Sequence, residues 1–297
     1  MILEVQNLHK HYGPIHALND VSFKVPEGAV YGILGPNGSG KTTLLGIIMN
    51  VLNQSSGSFK MFGEEPDKKH RREIGTLLET PNFYHYLNAI QNLKITAAIK
   101  GRSSDDIERV LTIVDLMQRR TSKFSTYSLG MKQRLAVANC LLGDPKVLVF
   151  DEPTNGLDPV GIAETRELIK RLNKLGKTII MASHLLDEVE KVCTHVAILQ
   201  KGVLLTDGHV DEILINEDIV EVCGSDIDLV LQLAGEFPST VLVRRHDLHV
   251  ELLFPSGEAN LETVNRYYYE KGIVLNHLRL RRKSLESKFF ELTQNNK

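Results

Sequence analysis

The segment Gly35-Pro36-Asn37-Gly38-Ser39-Gly40-Lys41-Thr42 constrains this chain more than any other stretch. It follows a short apolar run at 29–34 and precedes a helix expected over 42–50, so a tight loop joins a buried strand to a helix. That succession opens a parallel α/β unit. The pattern G-x4-G-K-[ST] is a phosphate-binding loop. Its glycines let successive backbone N–H groups turn inward at a helix N-terminus, where the peptide dipoles also favour an anion. Lys41 is placed to bridge β- and γ-phosphates and the Thr42 hydroxyl to bind Mg²⁺, with Thr43 beside them in the phosphate-facing set. ATP and Mg²⁺ are the expected ligands.

A second signal lies at Asp151-Glu152, directly after the apolar run 147–150. A carboxylate at such a strand end holds Mg²⁺ through water, which is the role expected of Asp151. Glu152 is then placed as a general base toward the attacking water. The rest of the chain fits an α/β domain around these two sites. Residues 2–12 and 16–25 alternate as strands. Residues 84–142 read as helical without a convincing strand, and 161–175 read as a helix. Residues 178–182 form another buried strand, and two short runs up to about 207 close as a hairpin.

From about 216 the pattern changes to strand, amphipathic helix, a hairpin around Asp247, helix and strand, with a last helix capped by Ser284. The order β-α-β-β-α-β is ferredoxin-like. The expected organisation is a P-loop NTPase domain at 1–215, with a helical insertion at 84–142, and a small α+β domain at 216–297. No convergent polar cluster is visible in the small domain. The basic run at 279–283 reads as a solvated edge strand.

A formal net charge of −2 over 297 residues offers no basic face for nucleic acid. The cysteines Cys140, Cys193 and Cys223 are widely spaced and form no C-x-x-C pair, which suits reduced thiols in a cytosolic protein. No apolar run approaches the ~18 residues that cross a bilayer.

A third signal separates this chain from other P-loop ATPases. Tyr127-Ser128-Leu129-Gly130-Met131-Lys132-Gln133-Arg134 resembles the LSGGQ signature of ABC ATPases. Ser128 and Gly130 match its serine and second glycine, while Leu129 and Met131 depart from it. With the P-loop, Asp151-Glu152 and this segment in order, residues 1–215 resemble the ATP-binding subunits of ABC transporters. The variant signature and the closing segment 284–293 resemble exporters.

The resemblance implies a RecA-like core with an antiparallel β subdomain. It also implies a D-loop role for Asp158 and a γ-phosphate contact for His184, while Tyr12 would stack on adenine. It implies further that Ser128 and Gly130 complete the site of a second ATPase subunit, a like or sister chain. A separate membrane-spanning permease would dock on the segment around 82–93, holding this chain peripherally at the cytoplasmic face of the membrane. Where the family carries a Q-loop glutamine, this chain has Glu79, whose carboxylate is expected either to ligate Mg²⁺ directly or to slow turnover by repulsion. Glu79 followed by Pro81 and an aromatic pair resembles the bacitracin-resistance and lantibiotic-immunity branch. Glu79→Gln is expected to preserve ATP hydrolysis, as measured by phosphate release. The alternative, a soluble ABC ATPase of translation or DNA repair, fits less well. Such chains carry two cassettes or a long coiled-coil insertion, and neither is present.

Overall fold

A computed structural model describes the chain apart from residues 68–69, 79–82, 215–217, 239, 241, 256, 283 and 295–297. The chain forms two compact units, Met1–Gly208 and His209–Lys297.

The first unit begins with β1 (Leu3–Tyr12), β2 (Ile15–Val25), β3 (Val30–Leu34), α1 (Lys41–Ile48), β4 (Ser56–Met61) and β5 (Ile74–Leu77). Three helices follow, α2 (Ala89–Ile99), α3 (Ile107–Ile113) and α4 (Leu129–Leu141). The unit closes with β6 (Val147–Asp151), α5 (Pro159–Lys174), β7 (Thr178–Ser183), α6 (Leu186–Glu190), β8 (His195–Gln200) and β9 (Val203–His209).

Two sheets result. One is antiparallel, in the order β2-β1-β4, and the other is six-stranded, in the order β5-β6-β7-β3-β8-β9. In the larger sheet β5, β6, β7, β3 and β8 run parallel. Every residue of β3 and β7 is buried. This explains their unbroken apolar runs, since a parallel strand is covered on both faces. The order β6-β7-β3 sets the carboxyl ends of three strands side by side, and the crevice beyond such ends is where open α/β sheets bind ligands.

Strand β4 was not visible in the sequence. Its residues Ser-Gly-Ser-Phe-Lys-Met bury only Phe59 and Met61, too short an alternation to register.

Between β5 and β6 the described residues form helices and no strand. Helix α2 opens with a capping box: the Asn88 side chain accepts from Gln91 N–H, and the Gln91 side chain accepts from Asn88 N–H. One turn on, buried Asn92 accepts from Tyr84 N–H at 2.8 Å and donates to the carbonyls of Tyr84 (3.2 Å) and Asn88 (3.0 Å). It therefore ties the segment entering the helical region to α2. Asn92→Ala leaves the Tyr84 N–H without its acceptor and removes two further side-chain hydrogen bonds, so it should cost about 2 kcal/mol, measured by denaturant unfolding of the whole chain.

The second unit runs α7 (Val210–Leu214), β10 (Asp218–Gly224), α8 (Ile227–Ala234), β11 (Leu242–Arg245), β12 (Val250–Phe254), α9 (Leu261–Glu270), β13 (Leu275–Arg282) and α10 (Leu285–Gln294). The sheet order is β11-β12-β10-β13 with every pair antiparallel, which is the ferredoxin-like arrangement. Its core holds Val220, Val222, Val250, Leu252 and Phe254 from the sheet against Val230, Leu233, Val264 and Tyr268 from α8 and α9. Asp226 and Asn260 cap those two helices. The units part at 208/209, whereas the sequence pattern put the border at 215/216. The difference is α7, which packs against α10 of the second unit.

Candidate active site

Between β3 and α1 the backbone leaves the conformations open to ordinary residues. Gly38 and Gly40 hold φ of +79° and +104°. A Cβ on Gly40 would lie 2.5 Å from the Ala17 carbonyl oxygen, and one on Gly35 only 2.2 Å from that of Leu199. The loop is a cradle from which side chains are excluded at these points. Pro36 and Asn37 form its exposed rim.

No side chain caps α1 at Gly40, so the first N–H groups of the helix, from Lys41, Thr42 and Thr43, stay available to an anion. Ser39 is buried, and its Oγ has no hydrogen-bond partner among the described residues. A buried donor of this kind at a helix N-terminus fits a phosphate ligand.

The Lys41 side chain is 6% exposed. Its Nζ donates to the carbonyls of Gly35 (2.8 Å) and Pro36 (3.3 Å) and lies 3.5 Å from Glu152 Oε1. The other carboxylate oxygen, Oε2, is 2.8 Å from His184 Nδ1. Lys41, Glu152 and His184 thus form one continuous chain of contacts, built from the loops after β3, β6 and β7. Glu152 itself holds φ of +49°, a left-handed conformation that costs a non-glycine residue about 1–2 kcal/mol. Its N–H donates to Ala182 O at 3.0 Å, which fixes this turn against β7. Asp151 ends β6 in register with Ala182. Thr42 is exposed on the first turn of α1.

The remaining candidates stand apart. Ser128 is exposed and caps α4, its Oγ accepting from Met131 N–H at 3.3 Å. Gly130 lies in the first turn of α4, with nothing within 4 Å of a Cβ placed on it. Asp158 caps α5, its Oδ1 accepting from Gly161 N–H at 2.8 Å, with Pro159 in the first turn. Tyr12 ends β1 at 44% exposure, with Lys10 Nζ 4.9 Å from its ring centroid. Among the described residues none of these four makes a hydrogen bond or ion pair to Lys41, Glu152 or His184. Glu79 lies outside the described residues.

Burial pushes the Cys140 thiol up to about 12 and that of Cys193 higher still, so neither is a nucleophile.

Residues 18–155 match the family model described as ABC transporter. Over 306 residues the chain is 36% identical to the uncharacterized ABC transporter ATP-binding protein YhcH of Bacillus subtilis, spanning 98% of this chain and 96% of that protein. The chain belongs to the ABC transporter ATP-binding proteins.

It is also 35% identical to the bacitracin transport ATP-binding protein BcrA of Bacillus licheniformis, over 98% of this chain and 97% of that one. Identity to the lantibiotic transport ATP-binding protein SrtF of Streptococcus pyogenes is 39%, over 71% and 92% respectively. Among solved structures, an ATP binding subunit of an ABC transporter superposes with a TM-score of 0.63 at 30% identity, covering 72% of this chain and 92% of that one. A dimeric ATP-binding cassette in a post-hydrolysis state bound to ADP and Pi superposes with a TM-score of 0.62 at 25% identity, covering 70% and 99%. This chain is therefore an ATP-binding and ATP-hydrolysing subunit of an ABC transporter.

Proposed function

We propose that this subunit acts as one of a pair, with ATP closed between the P-loop of one chain and Ser128 and Gly130 of the other. The pair would drive a separate permease that exports a peptide antibiotic, a drug or another amphipathic compound. The observation that carries the pairing is the division within the site. Lys41, Glu152 and His184 are already in contact, while the exposed Ser128 and the half-buried Gly130 engage none of them. The similarity to a dimeric cassette bound to ADP and Pi supports it. The export reading rests on the relatives named for bacitracin and lantibiotic transport. No helix among the described residues is long and apolar enough to cross a membrane. In this reading the pathway belongs to another chain, with this one held at the cytoplasmic face.

Each residue has a definite task in this reading. Entry of the triphosphate exchanges the Gly35 and Pro36 carbonyls on Lys41 Nζ for phosphate oxygens. Glu152 takes a proton from water as the water oxygen attacks the γ-phosphorus, and the bond to the β–γ bridging oxygen breaks to give ADP and phosphate. His184, through its contact with Glu152, holds that carboxylate in place. Thr42 and Asp151 would hold Mg²⁺, which offsets phosphate charge. Asp158 would shape the surface between the two chains, and Tyr12 would face adenine.

Copurification from native membranes should recover a polytopic permease, and deleting the pair should raise sensitivity to bacitracin- or lantibiotic-type peptides. An intact, ATP-hydrolysing complex whose loss leaves peptide sensitivity unchanged would overturn the export reading.

A further inference from the structure

The sheet of the second unit carries a polar cluster that ATP hydrolysis does not use. Val220, Val222, Val250 and Leu252 face the core under α8 and α9, so by strand alternation Glu221 and Glu251 face the opposite side. The two glutamates are direct cross-strand partners on β10 and β12. Both are buried, at 8% and 3% exposure. Paired carboxylates withdrawn from water repel one another and lose hydration, and they persist only where positive charge answers them.

Arg281 supplies one charge. Its terminal nitrogen donates to Glu251 Oε1 at 2.8 Å, and its Nε lies 3.2 Å from Glu221 Oε1. The sequence pattern had made the run at 279–283 a solvated edge. It is an edge strand, but Arg281 turns inward onto the glutamates. Arg281 reaches both carboxylates, and Arg244 and Arg279 are the direct cross-strand partners of Glu251 and Glu221.

Imidazoles also approach the pair. His246 Nε2 lies 3.1 Å from Glu251 Oε2, and His277 Nε2 lies 3.3 Å from Glu221 Oε2. His249 Nε2 is 3.8 Å from Glu251 Oε1 and 4.0 Å from Glu221 Oε1. That nitrogen is buried and has no hydrogen-bond partner among the described residues. An orphaned buried ring nitrogen beside two buried carboxylates marks a place for a ligand.

We propose that His246, His249 and Glu251 bind a divalent transition cation of the zinc class. Their ligand atoms lie within 4.8 Å of one another. Ligands of a tetrahedral zinc ion, at about 2.0–2.1 Å from it, stand about 3.3 Å apart, so side-chain rotation closes the set. The turn between β11 and β12 preorganises it: His246 N–H donates to His249 O at 2.9 Å, and the two rings stack with centroids 4.8 Å apart. Two imidazoles and one carboxylate select zinc-like ions over Mg²⁺ and Ca²⁺, which take oxygen ligands. The exposed side of His246 leaves a position for water. Glu221 and Arg281 sit behind the ligands and orient Glu251. The motif is His246-x-x-His249-x-Glu251, whose spacing is legible in the sequence. Its convergence with Glu221, His277 and Arg281 from other strands is not.

The test uses the full-length, tag-free chain stripped with a chelator and titrated with Zn²⁺ by calorimetry. One equivalent should bind, and His246→Ala/His249→Ala should weaken that binding at least tenfold. Glu152→Gln/His184→Ala should leave it unchanged, which separates this site from the nucleotide cradle. Equal binding by the His246/His249 variant, or no binding by the native chain, overturns the proposal. A readout without variants is Co²⁺ added to ¹⁵N-histidine-labelled chain. The imidazole resonances of His246 and His249 should broaden selectively, and broadening confined to other histidines overturns it.

Discussion

Glu152→Gln should bind ATP at least as tightly as the native chain while hydrolysing it about 10²–10⁴-fold more slowly, the range typical of a lost general base. The amide keeps the size and one acceptor oxygen of the side chain but cannot take the proton of the attacking water. It also removes a negative charge 3.5 Å from Lys41 Nζ, at the place where a triphosphate must enter. Ground-state binding therefore gains as turnover falls. Because ATP is proposed to bridge two chains, the bound pair should accumulate: light scattering should show a dimer with ATP and a monomer without nucleotide. His184 loses its carboxylate partner in the same variant, so His184→Ala is the companion measurement. It should slow hydrolysis without stabilising the dimer to the same degree, since Glu152 remains to turn over what binds. A Glu152→Gln chain that stays monomeric at saturating ATP would show that the two-chain site does not form.

The features legible in the sequence were those whose chemistry is local. The P-loop pattern could be read because its glycines, its lysine and the strand before it are contiguous; at Gly35 and Gly40 a Cβ would strike the backbone of β8 and β2 respectively. The strands of the parallel sheet could be read because burial on both faces leaves unbroken apolar runs. What could not be read was whatever depends on non-local register. Strand β4 needs β1 beside it to be a strand at all. The glutamate pair Glu221 and Glu251 exists only because β10 and β12 are neighbours. The left-handed backbone of Glu152 is likewise invisible in the letters Asp-Glu-Pro. It arises because the chain leaving β6 is held by Ala182 of the next strand.

Gly40→Ala should produce a large loss of nucleotide affinity from a single methyl group. Two effects add there. The residue holds φ of +104°, outside the region open to alanine. The new Cβ would also stand 2.5 Å from Ala17 O and 2.9 Å from Leu18 Cδ2. The first obstacle is backbone of β2, held in the antiparallel sheet, so it cannot swing aside as a side-chain tip would. The loop must move instead, and it carries Lys41 as its next residue. Backbone strain of about 1–2 kcal/mol and overpacking of about 1–3 kcal/mol together give roughly 2–5 kcal/mol. Whatever share of that strain is relieved by opening the cradle appears as lost ATP affinity, and the rest as lost stability.

Gly38→Ala separates the two causes. It shares the positive φ, at +79°, but a Cβ there meets nothing within 4 Å. Fluorescent-nucleotide titration should therefore show Gly40→Ala binding ATP at least a hundredfold more weakly, the equivalent of about 2.7 kcal/mol, and Gly38→Ala much less affected. Thermal unfolding of the two apo chains should rank them in the same order. If both variants lose affinity equally, the constraint at position 40 is conformational alone. The contact with Ala17 would then not be what holds the loop in its phosphate-binding shape.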